Sequence, residues 1–120
     1  NNIIMENEAV KKCVREPLPR DVCRVANEII RGNGARKTRF SQSGLEFDRR
    51  AIAAVYAAMN SIGEDIPDDT ARKCLQNRVM DSVSGHIPYE HMGECYCGRQ
   101  KFYDYRRELC RRVAKEMGML

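Results

Sequence analysis

The chain has 120 residues, of which 42% are hydrophobic and 32% charged, and its formal net charge is +4. This length supports one domain around one modest core, and this composition is typical of folded proteins and not of disordered ones. The sequence contains no run that approaches the roughly 18 apolar residues of a transmembrane helix. We therefore expect a cytoplasmic protein without a membrane partner.

Six cysteines are spread along the chain, at Cys13, Cys23, Cys74, Cys95, Cys97 and Cys110. An even number is compatible with disulfides, but the sequence shows no secretion signal. Several of these cysteines fall on predicted core faces of helices, where a free thiol packs as a small apolar side chain. We therefore expect reduced cysteines in an intracellular protein.

Helical periodicity recurs along the sequence, whereas the alternation of apolar and polar residues typical of strands is nearly absent. The sequence therefore predicts an all-α fold, a small bundle of five or six helices in a single domain. Residues 6–15 form a candidate first helix, which the prolines of residues 17–19 would close.

A second helix is predicted to begin near Pro19 and Asp21. Its apolar face would contain Val22, Val25, Ala26 and Ile29. The RGNG sequence at residues 31–34 either ends this helix or weakens it. For residues 31–44, which are basic, the sequence leaves helix and loop open.

The most apolar segment is residues 45–63, LEFDRRAIAAVYAAMNSIG. One stripe at helical spacing contains Phe47, Ala51, Ala54, Val55, Ala58 and Ile62, and Ile52, Tyr56 and Met59 widen it. A helix that is apolar most of the way round is normally buried. We therefore predict the central helix of the bundle here, ending at Gly63, because glycine suits the left-handed position after a helix.

Another helix is predicted after Pro67, which suits the first helical position, and Asp68 and Asp69 complement the positive end of the helix dipole. Its inward positions would be Ala71, Cys74, Leu75, Arg78, Val79 and Val83. Gly85 is expected to stop this helix.

The remaining elements have the order of a helix-turn-helix motif. A short helix in PYEHMGE (residues 88–94) and a tight turn precede a long final helix from about Gly98 to Met117. With the helix before them, they predict a helix-turn-helix over approximately residues 67–118. The predicted inward residues of the final helix are Phe102, Tyr105, Leu109, Val113 and Met117.

The outward face of this final helix predicts DNA binding. Residues 98–118 contain seven basic and three acidic side chains, so positive charge is concentrated there. Arg and Gln can make paired hydrogen bonds to base edges in the major groove, and Arg and Lys at the margins neutralise phosphates. The predicted groove residues are Arg99, Gln100, Tyr103 and Arg107. The residues predicted to lie nearer phosphates are Lys101, Arg106 and Arg111.

The sequence also resembles a known family. Gly98, Arg99, Phe102, Tyr103, Tyr105, Arg106 and Arg107, followed by AKEMGML, resemble the C-terminal end of the RinA- and ArpU-like late-gene regulators encoded in phages and prophages of Gram-positive bacteria. The LPRDV…IIRG…RK stretch is similar to their N-terminal part, so the resemblance covers roughly residues 18–120. It implies a helix-turn-helix related to region 4 of sigma factors and the recognition of promoter DNA.

Double-stranded DNA is therefore the expected partner. Since one helix-turn-helix gives limited specificity, RNA polymerase and a second copy of the chain are further candidate partners, with the N-terminal helices as the expected contact. The alternative is a small phage-type protein-interaction module that binds a host protein without contacting DNA bases. Basic side chains exposed on one ridge would favour DNA. The same side chains in internal salt bridges, with an exposed apolar patch elsewhere, would favour a protein partner.

A metal site and catalysis have weaker signals. His86, His91, Cys95 and Cys97 are four potential zinc ligands, but one-residue spacing between the cysteines strains a shared tetrahedral site. Cys97 also falls where a small apolar residue is needed under the final helix. We find no nucleophile elbow, phosphate-binding loop or histidine with a catalytic partner. The expectation is therefore packing cysteines, no metal, no cofactor and no enzymatic activity.

Overall fold

The structure, a computed structural model, describes residues 18–120 as an all-α bundle, which confirms the predicted fold class. Its helices are α1 (Arg20–Arg31), α2 (Asn33–Ser43), α3 (Glu46–Ser61), α4 (Asp69–Gly85), a 3-10 helix (Tyr89–His91) and α5 (Arg99–Glu116). None of the helices in this described part is long and apolar enough to cross a membrane. The helix predicted at residues 6–15 lies outside the described residues.

The final helix, α5, is the central element, because it packs against α1, α3, α4 and the 3-10 helix. Its buried residues are Phe102, Tyr105, Leu109, Cys110, Val113 and Ala114, and Met117 is half-buried. The predicted inward stripe is thus confirmed. A stripe this wide lets one helix contact three others, which explains why α5 occupies the centre.

The prediction that residues 45–63 form the buried central helix is wrong in part. Ala51, Ala54, Val55, Ala58 and Ile62 are buried as predicted, but Phe47 is 58% exposed and Tyr56 is 65% exposed. The helix is apolar all round because it is rich in alanine, and alanine is tolerated in water at little cost. At its first turn the buried side chain is that of Asp48, with Phe47 turned outward.

The structure resolves the open question at residues 31–44 as a helix, α2. Gly32 separates α1 from α2, and the Arg36 guanidinium donates hydrogen bonds to the Ile29 and Glu28 carbonyl oxygens at the end of α1. A Cβ at Gly32 would lie 2.8 Å from the Arg36 Nη2 atom, so glycine leaves room for this contact. Arg36, two residues after the RGNG sequence, thus stabilises the end of α1.

A second arginine joins α2 to α3. The Arg39 Nε atom donates to the Asp48 carboxylate at 2.7 Å, and the guanidinium makes a second hydrogen bond to the same group. These bonds hold the pKa of the Asp48 carboxyl below its usual range. The inward face of α1 also differs from the prediction, since Ile30 is buried and Val25 is 46% exposed.

Both ends of α4 differ from the prediction in detail. Asp68 is the N-cap, and its carboxylate accepts a hydrogen bond of 2.9 Å from the Ala71 backbone N–H, so Pro67 precedes the cap and is not the first helical residue. At the other end Gly85 is still helical, and His86 adopts the left-handed conformation with φ of 53°. The predicted inward residues Cys74 and Arg78 are half-buried.

The PYEHMGE segment forms a single turn of 3-10 helix, which is shorter than the α-helix that a standard helix-turn-helix has at this place. Gly93 and Tyr96 follow it with positive φ angles of 74° and 62°, which an α-helix does not allow. Buried Met92 and Cys95 fix this turn to the core. The helix-turn-helix predicted over residues 67–118 therefore has a single 3-10 turn where its short helix was expected.

Candidate nucleic-acid interface

The first turn of α5 lacks the usual helix cap. Gly98 is the N-cap residue, and within the described part of the chain no side chain accepts a hydrogen bond from the first N–H groups of α5. The first N–H groups of an α-helix have no intrahelical acceptor and carry a partial positive charge. Arg99 and Lys101 add two full positive charges to the same turn. The positive helix end and these two cations, each of which is paired with a carboxylate, are groups that an anion could contact.

Tyr103 holds two arginines at this surface. The Arg99 guanidinium lies 4.9 Å from the centre of the half-buried Tyr103 ring, and the Arg106 guanidinium lies 5.3 Å from it. The Tyr89 backbone N–H donates to the Tyr103 hydroxyl at 3.2 Å, and the Phe102 ring packs edge-on against Tyr103. Tyr103, predicted to enter the groove, is therefore a platform that positions Arg99 and Arg106 by cation–π contacts.

Two of the predicted groove arginines make salt bridges within the protein. The Arg99 Nε atom lies 2.7 Å from a Glu90 carboxylate oxygen, and the Arg107 Nη2 atom lies 2.7 Å from an Asp104 carboxylate oxygen. The Arg99 guanidinium holds the pKa of Glu90 below its usual range. All four side chains are about half exposed or more, and such surface pairs contribute only about 0–1 kcal/mol each. A phosphate can therefore replace either carboxylate at little cost.

Lys101 faces the loop between α3 and α4. Its Nζ atom lies 3.4 Å from an Asp65 carboxylate oxygen and 5.2 Å from the centre of the Tyr105 ring. The Tyr105 hydroxyl donates to the other Asp65 oxygen at 2.6 Å. This hydrogen bond, followed by the charge of Lys101, holds the pKa of Asp65 below its usual range, and burial together with Asp65 raises the pKa of Tyr105. Lys101 thus lies to the side of the outward face.

Gln100, Arg107 and Arg111 share the outward face of α5, as the spacing predicted. Gln100 and Arg107 are exposed, and Arg111 is half-buried. Asp104 lies on the same face, one turn after Gln100, and the sequence-based interpretation overlooked its position there. Its carboxylate can accept a hydrogen bond from a cytosine amino group but repels phosphates. The face is therefore mixed in charge and not uniformly basic.

The cysteines beside α5 are packing residues. Cys95 is buried in the core, and Cys97 packs against it from the turn before α5, where its carbonyl oxygen accepts a 2.9 Å hydrogen bond from the Tyr89 hydroxyl. Burial raises the pKa of the Cys97 thiol to about 11 and also raises the pKa of Cys95. Both thiols are therefore protonated at neutral pH. Within residues 18–120 no three His, Cys, Asp or Glu side chains come together in a way that could hold a metal ion.

A second surface feature lies among α2, α3 and α4. It is a groove of about 550 Å³ whose apolar lining includes Phe40, Ile52, Tyr56, Met59 and Met80. The sequence-based interpretation missed it, because it placed Ile52, Tyr56 and Met59 in the core. The groove gives α3 an apolar flank at the surface.

Comparison with known proteins adds no identification. No protein-family model matches the chain, and neither curated proteins nor solved structures give a significant match. The surface chemistry of α5 and α3 is therefore what supports a function.

Proposed function

We propose that the protein binds double-stranded DNA through the start of α5 and acts as a sequence-specific transcriptional regulator of phage or prophage genes. The observation that carries this proposal is the uncapped, basic first turn of α5, with the Arg99 and Arg106 guanidiniums held on the Tyr103 ring. The resemblance to RinA- and ArpU-like regulators supports the choice of partner.

Binding to the DNA backbone would use the first N–H groups of α5 together with Arg99 and Arg106. A phosphate that approaches this turn meets a positive helix end and two cations that are already oriented. Arg99 would exchange the Glu90 carboxylate for the phosphate, which costs little because the Arg99–Glu90 pair is exposed. Each phosphate contact also releases counterions and so favours association.

Base contacts would come from Gln100 and Arg107, which are exposed on the outward face within the first three turns of α5. Gln suits the paired acceptor and donor of adenine, and Arg suits the two acceptors of guanine. Arg107 would leave Asp104 on binding, and Asp104 could then accept a hydrogen bond from a cytosine amino group. Phosphate contacts position the helix and these base contacts give the specificity.

The test is the salt dependence of DNA binding, measured by fluorescence anisotropy on mixed-sequence duplexes and on genomic fragments that the protein retains. Phosphate contacts by Arg99, Arg106 and Arg111 predict a slope of about −2.7 for the logarithm of affinity against the logarithm of salt concentration. Absence of binding at low salt, or affinity that does not change with salt, contradicts the proposal.

A charge-neutralising variant makes this test specific for the site. Glu90→Gln removes the carboxylate that competes for Arg99, so DNA affinity should rise roughly two- to fivefold. Glu28→Gln is the matched control, because Glu28 makes an exposed salt bridge with Arg31 on α1 and its change alters net charge equally. Equal effects of the two variants would mean that only net charge matters and that α5 is not the site.

The protein-interaction module remains the second candidate function, and two observations favour it. Arg99, Lys101 and Arg107 are paired with carboxylates, and the apolar groove beside α3 lies at the surface. This function takes precedence if the protein fails to bind DNA at low salt.

A further inference from the structure

The turn before α5 holds a tyrosine in an unusual backbone conformation. Tyr96 has a φ of 62°, in the left-handed region that residues other than glycine and asparagine seldom adopt. Within residues 18–120, His86 is the other non-glycine residue with a positive φ. His86 ends α4, and its backbone N–H donates to the Ser82 carbonyl oxygen, so a helix end accounts for its conformation. Tyr96 does not end a helix, so its conformation has another cause.

Neither the backbone nor the core of the protein requires a tyrosine at this position. Glycine adopts a left-handed conformation without strain, as Gly93 does in the same turn with a φ of 74°. The Tyr96 side chain is 52% exposed, and it makes no hydrogen bond or aromatic contact with the described residues 18–120. Residues held in strained conformations are concentrated at functional sites. A contact outside the chain therefore explains Tyr96 better than folding does.

The backbone of Tyr96 is held in place from both sides. The Tyr96 backbone N–H donates to the Glu94 carboxylate at 2.7 Å. Of the two neighbouring residues, Cys95 is buried in the core and Cys97 is half-buried against it. The Tyr89 hydroxyl donates to the Cys97 carbonyl oxygen at 2.9 Å. The turn thus presents the Tyr96 side chain from a fixed backbone, so little conformational entropy is lost when the side chain binds a partner.

Tyr96 lies three residues before Arg99, and thus beside the turn of α5 that the proposed function assigns to phosphate binding. We propose that the Tyr96 ring packs on a deoxyribose of the DNA strand whose phosphate Arg99 binds. This inference rests on the proposed function and adds an uncharged contact to the same site. It makes Tyr96 a DNA-binding residue, and it makes Glu94, which fixes the Tyr96 backbone, a positioning residue.

The chemistry around Tyr96 favours the sugar over the other parts of a DNA duplex. The Glu94 carboxylate beside the Tyr96 N–H repels a phosphate but does not repel an uncharged deoxyribose. The bases of a duplex are stacked on one another, so an aromatic ring cannot stack on them unless the duplex opens. Each phosphate is bonded directly to a deoxyribose, so a ring beside Arg99 meets the adjoining sugar. Contacts to the sugar position a protein on DNA without reading its sequence.

The test compares two tyrosines by fluorescence anisotropy on duplexes of several sequences, from about 50 to about 200 mM salt. Tyr96→Ala should weaken DNA binding about three- to tenfold. The loss should be the same for every sequence and should leave the salt slope unchanged, because an uncharged contact releases no counterions. Tyr56→Ala is the matched control, since Tyr56 is 65% exposed beside the groove at α3, and it should bind DNA like the parent.

The outcomes separate this inference from the proposed function. A parent protein that does not bind DNA at low salt overturns both. A parent that binds, with Tyr96→Ala binding equally well, overturns the Tyr96 contact alone. A loss confined to certain sequences would mean a contact with base edges, a changed salt slope would mean a contact with phosphate, and either result overturns packing on the sugar.

Thermal melting separates the contact from the fold. Tyr96→Gly should melt at a higher temperature than Tyr96→Ala, because glycine adopts a positive φ without strain. Both variants should bind DNA more weakly than the parent, because both lack the ring. Melting of Tyr96→Gly below Tyr96→Ala would overturn the premise that the left-handed conformation is strained.

Two variants of Glu94 test its positioning role. Glu94→Gln and Glu94→Ala remove the same negative charge, so both gain equally in attraction for DNA, but Gln alone keeps an oxygen that can accept from the Tyr96 N–H. Glu94→Gln should therefore bind DNA roughly two- to threefold more tightly than Glu94→Ala. The difference should disappear when each is combined with Tyr96→Ala. Equal affinities of the two single variants, or a difference that persists without the ring, overturn positioning of Tyr96 by Glu94.

Discussion

The starts of α4 and α5 differ in whether a side chain accepts hydrogen bonds from the first backbone N–H groups of the helix. At the start of α4, Asp68 caps the Ala71 N–H, and Asp69 adds a negative charge. At the start of α5 the cap is Gly98, and the first turn carries Arg99 and Lys101. The first arrangement stabilises a helix, whereas glycine at the N-cap forgoes roughly a few tenths of a kcal/mol. The difference leaves the first N–H groups of α5 without a side-chain acceptor among the described residues.

The start of α5 is held in place by packing instead of capping. Phe102, in the first turn, is fully buried and contacts the Tyr89 ring at 5.4 Å between centroids. Tyr105, Leu109 and Val113 continue the same buried stripe. A helix anchored along its length in this way can leave its end uncapped, because tertiary packing provides most of the stability of helices in proteins.

The largest effect is expected for Phe102→Ala. Loss of a fully buried aromatic side chain should lower the free energy of unfolding by about 3–5 kcal/mol. Chemical denaturation followed by circular dichroism measures this change. Tyr96→Ala, which truncates an aromatic side chain that is 52% exposed in the adjoining turn, should change stability far less. A small effect of Phe102→Ala would mean that packing does not hold the start of α5.

A smaller effect, on DNA affinity, is expected for the exposed side of α5. Gln100→Ala or Arg107→Ala should each weaken binding to the preferred site by about 1–3 kcal/mol and relax the preference at one base pair. Arg111→Ala should weaken binding to all sequences about equally, as a phosphate contact does. Binding assays on a set of single-base variants of the site distinguish the two patterns. Folded Gln100 and Arg107 variants that bind every site like the parent would exclude base contacts by this helix.

The packing of α5 could be predicted from the sequence, whereas its charge environment could not. A wide apolar stripe at helical spacing identified Phe102, Leu109 and Val113 as buried, because periodicity reports directly on which face is inward. The partners of Arg99 and Lys101 are Glu90 and Asp65, which tertiary packing brings next to α5. Periodicity within one helix contains no information about such contacts.

The error at α3 has a related cause. Apolar residues of α3 occur on all sides of the helix, but many are alanines, which bury little area and so do not determine which face is inward. The buried Asp48 depends on Arg39 of α2, and the sequence left it undecided whether α2 was a helix at all. The uncapped start of α5, in contrast, has a signal in the sequence, because Gly98 before Arg99 offers no side chain that could cap the helix.

The capped start of α4 is the reference with which the start of α5 is compared. Asp68→Ala should lower the free energy of unfolding by about 1 kcal/mol, because the Ala71 N–H loses its acceptor. Asp81→Ala is the matched control, since Asp81 is exposed near the other end of α4, where a negative charge is not favoured by the helix dipole. Neither variant should alter DNA affinity at the α5 site beyond the effect of one unit of net charge. Equal stability of the two variants would show that the cap contributes nothing.

The smallest effect on stability, and the sharpest test of the comparison, is expected at Gly98. Its φ and ψ are −79° and 172°, and a Cβ there would meet no atom within 4 Å, so other residues fit this position. Gly98→Asp and Gly98→Ser should each raise the free energy of unfolding by a few tenths of a kcal/mol, because both side chains can accept from the free N–H groups.

The two Gly98 variants should differ in DNA binding. Asp would occupy the N–H groups and place a negative charge beside Arg99, so the affinity for DNA should fall although the protein is more stable. Ser, which caps without charge, should reduce the affinity less. A gain in stability with a loss of affinity in the uncharged Ser variant is expected only if the same N–H groups serve both purposes, since a purely structural helix start would gain stability and bind DNA as before. Denaturation and anisotropy measurements on the same two preparations decide between these outcomes.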